Sequence, residues 1–272
     1  MKRIAAVICA FVAALFVLGC SFDGAGQSSD ASSSKPTLKI GIDIYEPYTY
    51  YDDNGQLTGI DYEIAVEACN RLGVTPEFVG ISWEKKNDLL ASGEIDCVWS
   101  CYSMTGREDD YLWAGPYMNS YQAAVVRTDS GITSLSQLEG KRVAVEATTK
   151  SEEAWVKHGG DVVPQASDVL TYTTYDEAIS AVRLGYADAA STHVGPMSAL
   201  VASSDGALTL LPEGFYATQI GVAFDKGYAD TAFVEDLDST LGELGEDGTI
   251  AGIVEKYGLD PEMVVEGAAD VQ

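Results

Sequence analysis

The stretch LKIGIDIYEPYTYYDDNGQLTGIDYEIAVEACNRLG, residues 38–73, changes its hydrophobic period partway along, and that change decides the fold. Leu38, Ile40 and Ile42 alternate with Lys39, Gly41 and Asp43, the period of a strand, so a strand is expected to end at an aspartate. Asn54-Gly55 then lies between two short β-prone runs and predicts a type I′ hairpin, whose two central residues need positive φ. From residue 60 the period lengthens. Ile60, Ile64, Ala68 and Leu72 form one helical stripe, with Asp61 expected as the N-cap and Gly73 as the stop.

Working outward, strands are predicted at 75–80 and 95–101 with a helix at 83–92 between them. After Val126 the unit recurs as a buried strand in KRVAVEA, a helix opening at 149–152, a strand around Val162, a helix over 175–185 and a strand over 187–192. Such alternation implies parallel sheets covered by helices on both faces, an α/β class with two lobes. Residues 230–258 read as two helices parted at Gly248, with no sheet of their own to cover, so they must pack on an earlier lobe. About 230 ordered residues suit two domains better than one.

The N-terminus runs Lys2-Arg3, an apolar segment over 4–18, then Gly19-Cys20, the layout of a secretory signal ending at a lipidated cysteine. The apolar run is about fifteen residues, short of the roughly twenty a spanning helix needs, so residues 1–19 are expected to be cleaved. An ordinary secretory signal with an incidental Cys20 is the alternative. Residues 20–36, rich in Ser, Gly and Asp, predict a tether without a core. Removing residues 1–19 takes Lys2 and Arg3 from the 16 basic side chains and leaves all 42 acidic ones, moving the formal charge from −26 to −28. That balance argues against nucleic acid and anionic headgroups as partners. Beyond Cys20 the chain keeps Cys69, Cys97 and Cys101; the last two lie four residues apart in a strand, roughly 13 Å, too far for a direct bridge unless the chain bends. The only histidines are His158 and His193, and no zinc spacing occurs, so neither a metal nor a cofactor is expected.

In open α/β sheets, ligands sit beyond the carboxyl ends of strands. The loops there carry Asp43-Ile44-Tyr45, residues 100–107, residues 146–151 and Ser191-Thr192-His193. Arg107, in SMTGRED, is the leading candidate because a guanidinium forks onto a carboxylate bidentately; a surface pair with Glu108, Asp109 or Asp110 is the bland alternative. Thr148-Thr149-Lys150-Ser151 opens a helix, where free N–H groups suit an anion or simply a cap. Tyr45, Tyr48 and Trp83 offer aromatic faces, for which core packing is the commoner role.

In order along residues 37 to 258, the first stretch together with LLASGEIDCVWSCYSMTGRE, WAGPYMNSYQAAVV, LEGKRVAVEATTKSEE, YDEAISAVRLGYADAA and EDGTIAGIVEKYG resembles the family 3 solute-binding proteins of ABC importers. The resemblance implies a two-lobed clamshell of the periplasmic-binding-protein type II. Lobe 1 is expected at 37–121 plus 221–267 and lobe 2 at 122–220, with two hinge crossings near 121–125 and 216–220. It also implies that Tyr45 and Trp83 flank the solute, that Ser100, Ser103 and Arg107 meet its carboxylate, and that Thr149 meets the same group from lobe 2. Three departures stand out: the loop before Arg107 is one residue short, Lys150 replaces a threonine, and His193 stands where the family has its ammonium-binding aspartate. A neutral imidazole lacks the fixed charge of that contact, leaving Glu146 or Asp43 to supply it.

The function so implied is a monomeric, non-enzymatic binding protein that passes an amino-acid-like solute to an ABC permease and is held to the outer face of the membrane through Cys20. Two alternatives stay open. One is a cleft enzyme resembling cyclohexadienyl dehydratase, with Glu146 and His193 as acid–base pair. The other is a ligand-sensing lipoprotein.

Overall fold

A computed structural model describes residues 35–263. The expected signal peptide, Cys20, most of the tether and positions 264–267 of lobe 1 lie outside the described residues. In chain order the elements are β1 (Thr37–Ile42), β2 (Tyr50–Tyr51), β3 (Leu57–Thr58), α1 (Ile60–Leu72), β4 (Thr75–Gly80), α2 (Lys86–Ser92) after a 3-10 turn (Trp83–Lys85), β5 (Cys97–Ser103) and β6 (Leu112–Arg127). They continue with β7 (Arg142–Glu146), α3 (Lys150–Lys157), β8 (Asp168–Tyr172), α4 (Tyr175–Arg183), β9 (Ala189–His193), α5 (Val194–Ala202), β10 (Leu208–Leu210), β11 (Phe215–Phe224), α6 (Thr231–Glu246) and α7 (Thr249–Lys256).

The main sheet runs β4-β1-β5-β11-β6-β9-β7-β8, with β10 on β6. β1 lies parallel between β4 and β5, and β7 parallel between β8 and β9. The two parallel triplets are joined by long antiparallel strands. β6 pairs with β11 as far as Gln122 and with β9 from Gln122 to Val126, so one strand serves both halves. Each half buries a core on both faces of its sheet. In the first half, α1, α6 and α7 cover one face through Ile60, Ile64, Leu237, Leu241 and Ile250, while Trp83, Leu90 and Ile95 pack on the other. In the second, the period of two along β6 sends Ala123 and Val125 to one core and Ala124 and Val126 to the other.

The expected helix over 60–72 forms and stops at Gly73, whose φ is 71°. Asp61 is not its N-cap. Gly59 holds that place at φ 125°, where an added Cβ would lie 2.2 Å from the Tyr48 carbonyl oxygen. Asp61 instead points inward, fully buried, and accepts the Cys101 N–H (2.6 Å) and the Tyr117 hydroxyl (2.7 Å). The hairpin is not type I′ either. Gly55 alone has positive φ, and Asp52 organises a longer turn by accepting the N–H groups of Asn54 and Gln56 on its carboxylate. That Asx geometry lets Asn54 keep an ordinary backbone conformation.

No strand forms around Val162, where a single bridge joins Gly159 to Val163. The strand beside β7 comes later, at Asp168–Tyr172, because Gly159-Gly160 and Pro164 turn the chain first. Cys69, Cys97 and Cys101 are free buried thiols.

Candidate functional site

The carboxyl ends of β1, β5, β7 and β9 converge on one cleft lined by Asp43, Tyr45, Trp83, Ser100, Ser103, Arg107, Glu146, Thr149, Lys150 and His193, while Tyr48, offered with Tyr45 and Trp83 as an aromatic face, is packed in the core. From the first half, the Asp43 N–H donates to Ser100 Oγ (3.1 Å) and that hydroxyl donates back to the Asp43 carbonyl (3.3 Å), clipping the loop after β1 to β5. Beyond β5 the chain turns through an Arg107 N–H to Met104 carbonyl bond (2.8 Å) and delivers Arg107 to the cleft. Its guanidinium lies 5.0 Å over the Tyr102 ring and donates to the carbonyls of Ser103 and Thr148, each at 3.3 Å. Among the described residues it has no carboxylate partner, and the neighbouring Glu108 accepts the Gly106 N–H instead.

The second half supplies the opposite wall. β7 ends at Glu146, and Thr148 takes a positive φ of 60° to start α3. The Thr149 hydroxyl is occupied twice: it donates to the Glu146 carbonyl (2.7 Å) and accepts the Glu152 N–H (3.1 Å) as N-cap. What this turn presents to an anion is therefore backbone N–H, since the first turn of a helix has no internal acceptors. Replacing Thr149 by alanine removes the cap, and is expected to lower unfolding free energy by about 1 kcal/mol in a urea titration.

Lys150 is buried rather than solvent-facing. Its Nζ pairs with Glu153 (3.0 Å) and lies 5.4 Å over the Tyr216 ring, so its charge is already met inside the protein.

His193, the last residue of β9, is enclosed. Nε2 meets Ser103 Oγ at 3.1 Å and Nδ1 meets Ser120 Oγ at 2.9 Å. Burial, helped by the Arg107 charge, lowers its pKa to about 3, so the ring is neutral at any physiological pH. The Tyr45 hydroxyl bonds Thr192 Oγ1 and accepts the His193 N–H (3.3 Å), tying the two halves together.

The acidic groups of the cleft are Asp43 and Glu146. Burial raises both carboxyls, and the charge of Asp43 raises Glu146 further, to about 8. Glu146 Oε1 is buried without a hydrogen-bond partner.

Sequence reasoning passed over Lys86 and Ser120, and included Tyr102 and Thr192 only as members of the loops beyond β5 and β9. Lys86 sits in a Glu-Lys-Lys run that reads as solvated, yet it lies three residues after Trp83 and so shares its helical face. It is buried, donates to the Trp83 carbonyl (3.2 Å) and Thr148 Oγ1 (2.8 Å), and has its pKa lowered to about 8 by burial and by Arg107. The cleft between the walls is narrow and partly open to solvent.

Two sheet halves joined by shared strands, with a mixed-charge cleft between them, define a two-lobed solute-binding architecture. Residues 38–260 match the bacterial extracellular solute-binding proteins, family 3, and the chain belongs to that family. It is 29% identical to the L-cystine-binding protein TcyJ of Escherichia coli K12, over 81% of this chain and 82% of that one. The L-cystine-binding protein TcyA of Bacillus subtilis is 28% identical over 90% and 92%. Among solved structures, an ancestral arginine-binding protein bound to arginine superposes with a TM-score of 0.73 at 28% identity, covering 83% of this chain and 99% of its own. The ancestral amino acid-binding protein AncCDT-1, a precursor of cyclohexadienyl dehydratase, gives 0.71 at 30% identity, covering 81% and 95%. No helix among the described residues is long and apolar enough to cross a membrane.

Proposed function

We propose that this protein captures an amino acid or similarly built zwitterion outside the cell and hands it to an ABC permease, working as a monomer tethered to the membrane by a lipid on Cys20. In this reading the lobes are 37–121 with 221–267 and 122–220, and β6 and β11 carry the hinge. The observation that carries it is Arg107, a guanidinium in the cleft with no acid partner among the described residues, opposite the first turn of α3. A solute carboxylate there gains charge-assisted bonds from both walls, and so favours the closed form. Arginine and cystine are the solutes of the relatives, and both carry that carboxylate.

Calorimetry with the twenty proteinogenic amino acids and L-cystine tests the reading; tight binding of at least one is expected, and binding of none overturns it. His193→Asp restores a fixed charge where the family has one and is expected to tighten α-amino acid binding several-fold in the same assay; weaker binding would mean that the imidazole itself fits the solute. Glu146, protonated near neutrality and beside Asp43, also has the character of a general acid. Recovery of the bound solute unaltered in mass after prolonged incubation separates binding from turnover.

A further inference from the structure

We propose that Asp43 and Glu146 hold one proton between them while the cleft is empty, and that a cationic nitrogen of the solute takes its place, so that loading releases a proton to solvent. This rests on the amino-acid reading above and adds to it an exchange at the acidic end of the cleft.

The two carboxyls come from opposite walls, Asp43 after β1 and Glu146 at the end of β7, and line the same cleft, near enough that the charge of Asp43 raises Glu146. Two neighbouring carboxylates repel and both only accept hydrogen bonds, so a proton on one of them relieves the repulsion and lets it donate to the other. Glu146 is 6% exposed and its Oε1 has no partner, an acceptor buried and left unused at the cleft surface.

The groups facing the pair do not supply the missing positive charge. From α2, Lys86 is the nearest cation, but its Nζ is engaged with the Trp83 carbonyl and Thr148 Oγ1. From the loop after β5, Arg107 is turned to the carbonyls of Ser103 and Thr148. From α4, Asp176 adds negative charge and Tyr175 is neutral. Tyr45 is also neutral, and so is His193 at the end of β9. The acidic end therefore lacks one positive charge, which a proton or a ligand nitrogen can meet.

The sign follows. The empty pair keeps its proton up to about pH 8, the value to which burial and Asp43 raise Glu146. A bound cation favours the doubly ionised pair, so below that pH each binding event expels a proton, and affinity rises with pH by up to about tenfold per unit. Between pH 5.5 and 7.5 the solute ammonium stays charged, and Lys86, lowered to about 8, stays largely so in both the wild type and the variant below. Asp61, beneath the cleft floor, titrates near 6, but it is common to the wild type and the variant below.

The tightest binder from the amino-acid panel is titrated at pH 7 in phosphate, imidazole and Tris, whose ionisation enthalpies differ. The apparent binding enthalpy of the wild type is expected to change with buffer by close to one released proton per solute, and the affinity to increase steadily from pH 5.5 to 7.5. Glu146→Gln is expected to abolish the release and flatten the pH profile. Buffer-independent enthalpy in the wild type would overturn the exchange, needing no variant to fold. If that result came with binding still dependent on Arg107, the amino-acid reading would stand and only the proton exchange would fall. If nothing in the panel bound, both would fall.

Discussion

Arg107→Ala is expected to weaken solute binding by roughly 100-fold or more, about 3 kcal/mol, as read by calorimetry on folded protein. The guanidinium is fixed by stacking on Tyr102 and by two long bonds to carbonyls, so a planar fork is held ready at little further entropic cost. Removing it leaves a carboxylate in the cleft with helix-turn N–H groups and the Ser100 and Ser103 hydroxyls, while Lys150 is already paired with Glu153 and His193 carries no charge to help. Thermal stability should change little, because Arg107 closes no ion pair among the described residues. Arg107→Lys should recover only part of the affinity, since an ammonium cannot reproduce the fork. An unchanged dissociation constant in the alanine variant would refute the site.

How far the sequence went is clearest at particular residues. Period alone placed α1, β7, α4 and the two C-terminal helices, because each has one buried stripe or one continuous apolar run. The rule that ligands gather beyond strand ends picked out the loops carrying Asp43, Arg107, Glu146 and Thr149, and the family resemblance added roles for Trp83, Ser100, Ser103 and His193; these residues line one cleft. Asp61 was misread because an acid opening a helix ordinarily caps it, and only the close approach of Gly59 to Tyr48 shows that the cap position is filled. The strand expected at Val162 failed because apolar composition cannot outweigh two adjacent glycines and a proline. Helix α5 was missed for lack of a polar face to reveal its period, Val194–Ala202 being apolar almost throughout. The state of His193 was beyond reach for a different reason: it depends on Ser103 and Ser120, 90 and 73 residues away, and on depth.

Asp61 should make stability depend on pH in a direction opposite to that of an ordinary salt-bridged acid. Burial raises its pKa to about 6, against the lowering effect of the Tyr117 hydroxyl and the Cys101 N–H. The unfolded chain ionises this group near 3.9. Between those values the folded protein holds a proton that the unfolded one has lost, so the contribution of Asp61 is fully present below about pH 4 and disappears as pH rises through 6. It amounts to at most about 3 kcal/mol. At pH 5 the protonated carboxyl can accept from the Cys101 N–H and donate to Tyr117. Asp61→Ala then strands two buried polar groups and opens a void under β5, where Cys101 already sits at φ 46°. A loss of about 4 kcal/mol is expected by urea denaturation at pH 5, shrinking by pH 8 as ionisation penalises the wild type. Asp61→Asn cannot ionise, so its difference from wild type should change across the same interval by the amount that titration contributes. A wild-type-minus-Asn difference that stays constant from pH 4 to pH 8 would show that Asp61 does not titrate in this range, and that its carboxylate is stabilised by more than the two bonds seen here.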